Sequence, residues 1–366
     1  MTSFPSRSVS LAFAASALAL SVFGTSVAAQ EAIDTQSSAV VNKVSRMSNG
    51  YWTSERMRNA VPMDKRAPSA QVGSAKSMTG TSVASQGQAP ATEPVAAPSR
   101  RLDLPVIRDV GSRSAGGSAN AYTTSMVFPD SHANVYPYRT AGKIFFTDGG
   151  LNYSCSGSIV NRRILITAAH CLYNTAVNRW HSNIVFVPSY NANLATQPFG
   201  SWNWASMRVP TGWINGCECF PSAYDFGSIE VADRLIGAST WRIGDYLGWL
   251  GWQTFALAGN NVTQLGYPGN LDSSRRMMQN NSQAGADSAV SARIGTAMQK
   301  GSSGGPWIQD FGVAAPGQLI TSSGPNRVLG VTSYGVVGAQ YAGATVLNDT
   351  WVNVYNAACA NRAGNC

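Results

Sequence analysis

Residues 163–171 read RILITAAHC, and the interpretation of the whole chain is built around them. An apolar run of strand length ends in two alanines, whose small side chains leave room for the imidazole of His170 to face a cleft. A single histidine beside a strand is more often structural than catalytic. The stretch therefore indicates chemistry only if the chain also supplies a nucleophile and an acid.

Similar short apolar runs lie on both sides of this stretch, from about residue 121 onward. They are rich in Val, Ile, Phe and Tyr and are separated by Gly, Asn, Pro and Asp, which is typical of β-strands joined by turns. Only 12% of residues are charged while 44% are hydrophobic, enough for a sizeable core. NDTWVNVYNAA, residues 348–358, has helical spacing, with Asn348 or Asp349 available to cap it. We predict an all-β domain over residues 121–366 that ends in a helix.

The N-terminal part of the chain lacks this texture. Residues 1–29 combine an arginine, an apolar stretch and small residues, which predicts a secretory signal peptide; the apolar run is too short for a membrane anchor. Residues 30–120 begin with a modestly amphipathic pattern and continue as a stretch rich in Ala, Ser, Gly, Gln and Pro, which predicts a propeptide and low-complexity linker. Residues 99–101 and Arg113 are candidate cleavage points. We expect a secreted protein, extracellular or periplasmic, without stable membrane association.

A candidate nucleophile lies in QKGSSGGPW, residues 299–307, where glycines flank Ser303. Runs of glycine and serine are usually plain loops, but G-x-S-x-G is also the nucleophile elbow of lipases and esterases. In that fold the catalytic histidine follows the serine, whereas the histidines at 132, 170 and 181 all precede Ser303. The lipase arrangement is therefore excluded, and the base must lie upstream.

Four segments together resemble the chymotrypsin-like, or trypsin-like, serine proteases. These are CSGSIV at 155–160, the TAAHC that contains His170, YDFGSIEV at 224–231, and the GSSGGP around Ser303. QLGYPGN at 264–270 places the resemblance closest to the bacterial and fungal glutamyl-endopeptidase-like branch. The chain order of histidine, Asp225 and serine matches that of chymotrypsin. Rival acids that lack this strand context are expected at the surface: Asp233, Asp245 and Asp272.

The resemblance implies two packed antiparallel six-stranded β-barrels with a catalytic cleft between them. His170 is then the general base and later the acid, Asp225 orients its imidazole, and Ser303 forms an acyl-enzyme. It also implies that the backbone amides of Gly301 and Ser303 form the oxyanion hole. A disulfide between Cys155 and Cys171 is implied as the clamp of the histidine loop.

Substrate-binding residues are expected near the nucleophile and on one strand. Ala297 stands where trypsin-like members keep an aspartate, which disfavours cleavage after Lys or Arg. Lys300 is either a rim residue that favours an acidic side chain or a solvated surface lysine. Thr332 stands where glutamyl endopeptidases usually keep a histidine. By resemblance, the strand with Ser333, Tyr334 and Gly335 runs antiparallel to the substrate backbone.

One departure from the family concerns activation. Animal digestive members keep an aspartate directly before the nucleophile, and it pairs with a newly cut N-terminal amine. Ser302 occupies that position here, so that ion pair is not carried over. We expect removal of residues 30–120 to open the site by another route.

All six cysteines lie at or beyond Cys155, which predicts disulfides in an exported chain. Sequence proximity favours a bond between Cys359 and Cys366. Cys217 and Cys219 are compatible with a fragment of a zinc site, but the chain has only three histidines, so a disulfide is the simpler interpretation.

The net charge of +8 raises the question of nucleic-acid binding. The chain has no dense basic run, and its aromatics are not interleaved with Arg or Lys, so that class is excluded. We predict a monomeric serine endopeptidase that acts on proteins or peptides and needs no metal or organic cofactor. The alternative is a catalytically silent protease-like binding protein or adhesin. The tryptophan-rich stretch at 196–222 then serves either as an aromatic exosite or as core packing.

Overall fold

The computed structural model describes residues 50–63, 65–67, 87–94, 121–216, 221–254, 257–286, 288, 290–312, 324–336 and 339–366 of the 366-residue chain. All of them belong to one compact unit that begins at Asp34.

Strands dominate these residues. In chain order they are β1 (Val61–Pro62), β2 (Arg66–Ala67), β3 (Gln88–Ala89), β4 (Tyr122–Met126), β5 (Ala141–Asp148), β6 (Leu151–Ile159), β7 (Ile164–Thr167), β8 (Tyr173–Asn174), β9 (Arg179–Trp180), β10 (Ser182–Pro188), β11 (Trp202–Arg208), β12 (Gly227–Val231), β13 (Arg234–Ile236), β14 (Ser239–Trp241), β15 (Gly251–Gln253), β16 (Asn261–Gly266), β17 (Met278–Gln283), β18 (Gly285–Ala286), β19 (Ser291–Gly295), β20 (Pro306–Gln309), β21 (Arg327–Val336) and β22 (Tyr341–Val346). The helices are α1 (Ser54–Asn59), α2 (Thr211–Ile214), α3 (Ile243–Leu247) and α4 (Asp349–Ala360), with 3-10 turns at Asp130–Asn134, Tyr138–Thr140, Ala169–Cys171 and Asp272–Ser274.

The first sheet is a closed antiparallel barrel of six strands. The order is β6-β5-β10-β11-β12-β7, and pairing between β6 and β7 closes it. Side chains alternate along β5: Ile144 and Phe146 pack with Ile159 inside the barrel, whereas Phe145 packs in a second core with residues of the other sheet. Because successive side chains of β5 enter two different cores, both faces of the strand are buried and its sequence contains a continuous apolar run. The predicted antiparallel barrel is confirmed for this half of the fold.

The second sheet contains another six consecutive antiparallel strands, in the order β19-β22-β21-β20-β16-β17, with β18 and β4 at its two ends. Among the described residues no ladder joins β17 to β19, so the second barrel that the resemblance implied is not fully closed. Instead, the side chain of Asn280 on β17 donates to the carbonyl of Gly295 on β19 at 2.9 Å. A polar side chain thus bridges the gap that backbone pairing would close.

Helix α4 confirms the predicted C-terminal helix. The side chain of Asn348 caps it by accepting hydrogen bonds from the amides of Thr350 and Trp351 at 2.9 and 3.4 Å. Trp351 and Tyr355 on one face pack against aromatic rings of the core. The disulfide between Cys359 and Cys366, with Cα atoms 5.3 Å apart, closes the chain end behind the helix.

Two pieces of the expected propeptide and linker are parts of these sheets. β1 pairs parallel to β6, β2 pairs parallel to β21, and β3 pairs antiparallel to β15. Residues 87–94, expected to lie in a structureless linker, are therefore ordered. Their hydrogen bonds come from backbone groups at sheet edges, and such pairing needs no hydrophobic periodicity in the added strand. The start of the protease domain at residue 121 stays a prediction, and the signal peptide, residues 1–29, lies outside the described residues.

Candidate active site

The imidazole of His170 is held by the carboxylate of Asp225. His170 lies in the 3-10 turn that follows β7, and Asp225 lies just before β12, the strand paired with β7. The Nδ1 atom of His170 lies 2.9 Å from Oδ2 and 3.0 Å from Oδ1 of Asp225, and the backbone amide of His170 donates to the same carboxylate at 3.0 Å. Ser333 on β21 donates from its hydroxyl to Oδ2 at 2.6 Å. Two sheets thus fix one buried carboxylate.

The environment keeps Asp225 ionised. Burial by itself raises the pKa of this carboxyl. Electrostatic interactions with His170 and Lys65 oppose that effect, and so do hydrogen bonds from His170 and Ser333. Together they hold the pKa of Asp225 well below its usual range. An ionised acceptor at Nδ1 leaves Nε2 as the basic nitrogen of a neutral imidazole.

A disulfide joins the two flanks of the histidine segment. Cys155 on β6 and Cys171, directly after His170, are bonded at 2.01 Å, with Cα atoms 6.3 Å apart. The sulfurs and an imidazole nitrogen lie within 4.8 Å of one another. Because both sulfurs are committed to the disulfide, neither is a thiolate ligand, and this cluster does not suit a metal.

Ser303 lies in a tight loop between β19 and β20 that contacts the histidine strand. Gly304 has φ +77°, and a Cβ there would lie 2.1 Å from Oγ1 of Thr167 and 2.8 Å from the amide of Ala168. Only glycine allows the loop to approach this closely. The carbonyl of Ser303 accepts from the amide of Ser156 at 2.7 Å. The Nε2 atom of His170 is buried and makes no hydrogen bond among the described residues.

Hydrogen bonds hold the peptide group before Gly301, the expected oxyanion donor, and the peptide group after it. The φ of Gly301 is +89°. The carbonyl of the preceding Lys300 accepts from Gly269 at 2.6 Å, and the carbonyl of Gly301 accepts from the hydroxyl of Ser156 at 2.8 Å. The amide of Gly301 donates to the carbonyl of Met63 at 2.8 Å. Met63, which lies outside the expected protease domain, therefore accepts the hydrogen bond of the Gly301 amide.

The side chain of Lys65 also reaches the carboxylate of Asp225. Its Nζ atom lies 3.2 Å from Oδ2 of Asp225 and 4.1 Å from the ring centroid of Trp213, and the side chain is only 12% exposed. Nothing in the sequence around Lys65 distinguished it from an ordinary propeptide lysine. Its role is visible only because the chain places it in the cleft.

Comparison with known proteins agrees with this geometry. The trypsin family model matches residues 130–200. A glutamyl endopeptidase of Bacillus licheniformis is 30% identical over 141 residues, which are 38% of this chain and 39% of that protein. A Bacillus subtilis protein called extracellular metalloprotease is 29% identical over 126 residues, 34% of this chain and 36% of that protein. The chain thus spans less than half the length of these two relatives.

Solved structures show the same fold. The protease Anisep from Arthrobacter nicotinovorans is 28% identical, with a TM-score of 0.50, over 61% of this chain and 96% of that chain. Together these matches support a trypsin-like serine protease. The chain is related to the glutamyl endopeptidases, and a solved Glu endopeptidase, 23% identical, matches in fold over 65% of this chain and 97% of that chain, with a TM-score of 0.50.

The substrate-binding residues expected from this family lie in different environments. The hydroxyl of Thr332 accepts from Gln264 and Trp307, both at 2.9 Å, and is 2% exposed, so it faces the core. The hydroxyl of Ser333 donates to the carboxylate of Asp225. Tyr334 is buried against Gly343. Three further expected residues have other contacts: the carbonyl of Ala297 accepts from Asn270, Lys300 is exposed, and the amide of Gly335 donates to the carbonyl of Lys65.

The remaining expectations concern residues away from the triad. Each rival acid pairs with an arginine: Asp233 with Arg163, Asp245 with Arg162 and Arg242, Asp272 with Arg276. Ser302 donates its hydroxyl to the carbonyl of Gln299 within its own loop. Cys217 and Cys219 lie outside the described residues. In the part of the chain that the structure describes, no helix is both long and apolar enough to cross a membrane.

Proposed function

We propose that the chain is a secreted serine endopeptidase that hydrolyses peptide bonds in proteins or peptides through Ser303, His170 and Asp225. The observation that carries the proposal is the buried, ionised carboxylate of Asp225 on Nδ1 of His170, beside a glycine loop that presents Ser303. Buried charges are costly, and clusters of this kind mark functional sites.

In the proposed reaction the hydroxyl of Ser303 attacks the carbonyl carbon of the substrate. Its proton passes to Nε2 of His170, and the resulting imidazolium is stabilised by Asp225. The absence of a hydrogen bond to Nε2 among the described residues is compatible with this step, since catalytic bonds are often long before substrate binds. The amides of Gly301 and Ser303 stabilise the oxyanion, each donor contributing on the order of 3 kcal/mol.

The imidazolium then gives its proton to the leaving amine, and the C–N bond breaks to leave an acyl-enzyme on Ser303. Water, deprotonated by His170, attacks the ester carbonyl, and the proton returns to the serine oxygen as the acid product leaves. Every proton taken is returned, so the cycle consumes only water and the peptide bond. The protein supplies all the groups that this chemistry uses.

Labelling with a fluorophosphonate probe tests the proposal. We expect the processed, secreted protein to react covalently at one residue, and Ser303→Ala and His170→Ala to abolish the reaction. A peptide library then gives the residue preferred before the cut. Absence of labelling in folded, processed protein would instead support the silent binding protein. Sequencing the N-terminus of the precursor secreted in the Ser303→Ala background tests cleavage after Ala29.

A further inference from the structure

Residues 61–63 and 65–67 lie beside the proposed catalytic groups and contact both sheets. Val61 and Pro62 pair with Tyr153 and Ser154 on the first barrel, and the amide of Met63 donates to the carbonyl of Ser154 at 2.9 Å. On the other side, β2 pairs with Gly335 and Val336 of the second sheet. The segment therefore bridges the walls between which a substrate must lie.

The contacts of this segment coincide with the proposed catalytic groups. The carbonyl of Met63 accepts from the Gly301 amide at 2.8 Å, the bond that the oxyanion of a substrate would require. The ammonium of Lys65 lies 3.2 Å from Asp225, and its carbonyl accepts from Gly335 at 3.0 Å. The two backbone contacts use the amides of Gly301 and Gly335, and the side-chain contact adds a cation to the carboxylate that already holds His170.

The direction of the segment is opposite to that of a substrate. The family resemblance implies that a substrate runs antiparallel to the strand Ser333–Gly335, which is part of β21. β2 runs parallel to β21. The carbonyl of Met63 lies on the oxyanion donor, as the carbonyl of a substrate would. Because the chain direction is reversed, the Cα of Met63 lies where the amide nitrogen of a substrate would lie, and the amide nitrogen that follows Met63 lies where the Cα would lie. The nitrogen then points away from His170, which must protonate it if the bond is to break.

We propose that residues 61–67 are a built-in inhibitor that binds the cleft as a reversed strand, with the Met63 carbonyl on the oxyanion donor and the Lys65 ammonium on Asp225. The inhibitor rests on the proposed function, since it blocks that site. Because the segment is held in the orientation that cannot be cut, it occupies the cleft without being consumed. Activation then requires displacement of this segment. The ion pair with a newly cut N-terminal amine is not available, because Ser302 has no carboxylate.

The decisive variant is Lys65→Glu in the full chain, which places a negative charge beside the ionised Asp225. Its matched control is Arg58→Glu, the same charge change on an exposed residue of α1, which precedes the segment. We expect fluorophosphonate labelling of intact chain, separated by mass, to be at least about tenfold faster in Lys65→Glu than in the native sequence. Arg58→Glu should label at the native rate. Equal rates in all three proteins would overturn the inhibitor.

A second measurement does not depend on catalysis. In the Ser303→Ala background, hydrogen exchange of the Gly301 and Gly335 amides should accelerate when Lys65→Glu is added, while the core amides of β5 and β6 show that the protein is folded. Unchanged exchange at these two glycines would contradict the docking. If no protein labels at Ser303 but exchange responds, the proposed function fails and the docked segment stands. A cut after Met63 in protein that reacts with the probe would show that the segment binds in the orientation of a substrate. That result would contradict the reversed orientation.

Discussion

The hydroxyl of Ser156 lies 2.8 Å from the carbonyl oxygen of Gly301 and accepts a hydrogen bond from the amide of Tyr267 at 3.0 Å. A side chain on β6 therefore holds both the peptide that follows the oxyanion donor and the loop after β16. Ser156 is a positioning residue in this sense, because it acts through Gly301 and not on the substrate.

We expect Ser156→Ala to slow labelling of Ser303 about tenfold, because the oxyanion donor loses its support. Two buried polar groups also lose a partner, which should lower the free energy of unfolding by about 1–3 kcal/mol. Ser158→Ala on the same strand is the control, since the hydroxyl of Ser158 is buried and makes no hydrogen bond among the described residues. Equal losses in the two variants would show that Ser156 has no specific role.

We expect Asp225→Asn to lower kcat about ten-thousandfold, because an amide in this position favours the wrong imidazole tautomer. Asp245→Asn, which alters a partly exposed pair with Arg162, should leave kcat unchanged. Peptide hydrolysis at neutral pH measures both. A fall of less than tenfold in Asp225→Asn would remove this carboxylate from the mechanism.

Asp225 should also make stability depend on acid pH. Its folded-state pKa is lowered from the ordinary value of 3.8, so the ionised carboxylate stabilises the fold fully above that value. This contribution is lost as the pH falls below 3.8 through the folded-state pKa. Urea unfolding between pH 2 and 6 should show a steeper acid loss in the native protein than in Asp225→Asn. Parallel curves would contradict the assignment.

Lys143 should make stability depend on pH in the same direction, but at neutral to alkaline pH. Its side chain is buried, its ammonium donates to the carbonyl of Ser274 at 2.9 Å, and burial lowers its pKa from 10.5 to about 7. Between these values the unfolded chain binds a proton that the folded chain does not, so the free energy of unfolding rises with pH. The rise is about 5 kcal/mol at most.

Lys143→Met keeps the apolar stem and removes the charge. We expect it to be more stable than the native protein at pH 6 and to lose most of that advantage at pH 10, as urea unfolding would show. A constant difference between the two proteins at all pH values would mean that Lys143 stays charged in the fold.

The sequence predicted those parts of the structure in which side chains follow a period or a motif. The strands of the first barrel were visible because apolar residues are buried on both faces, as in β5. Helix α4 was visible through its Asn348 cap. The pairing of His170 with Asp225 followed from order and strand context, and that geometry is present.

Other features left no such signal. β1, β2 and β3 join the sheets through backbone groups, whose hydrogen bonds are the same for every residue type except proline. The environment of Thr332 could not be foreseen either, because its hydroxyl is directed to Gln264 and Trp307 by neighbouring strands that are distant in sequence. Pairing between distant segments sets these positions, and local pattern does not encode it.

The strand β3 has a consequence for how the protein matures. Thr92 and Trp249 exchange two backbone hydrogen bonds, at 3.0 and 2.9 Å, and Gly251 lies so close to Ala89 that a Cβ would be 2.5 Å from the Ala89 carbonyl. A cut at residues 99–101 or at Arg113 leaves residues 87–94 on the N-terminal fragment. If that predicted cut occurs, we expect the two polypeptides to stay together through this β-ladder. Their dissociation, which depends on temperature and dilution, would then be a separate step after the bond is broken.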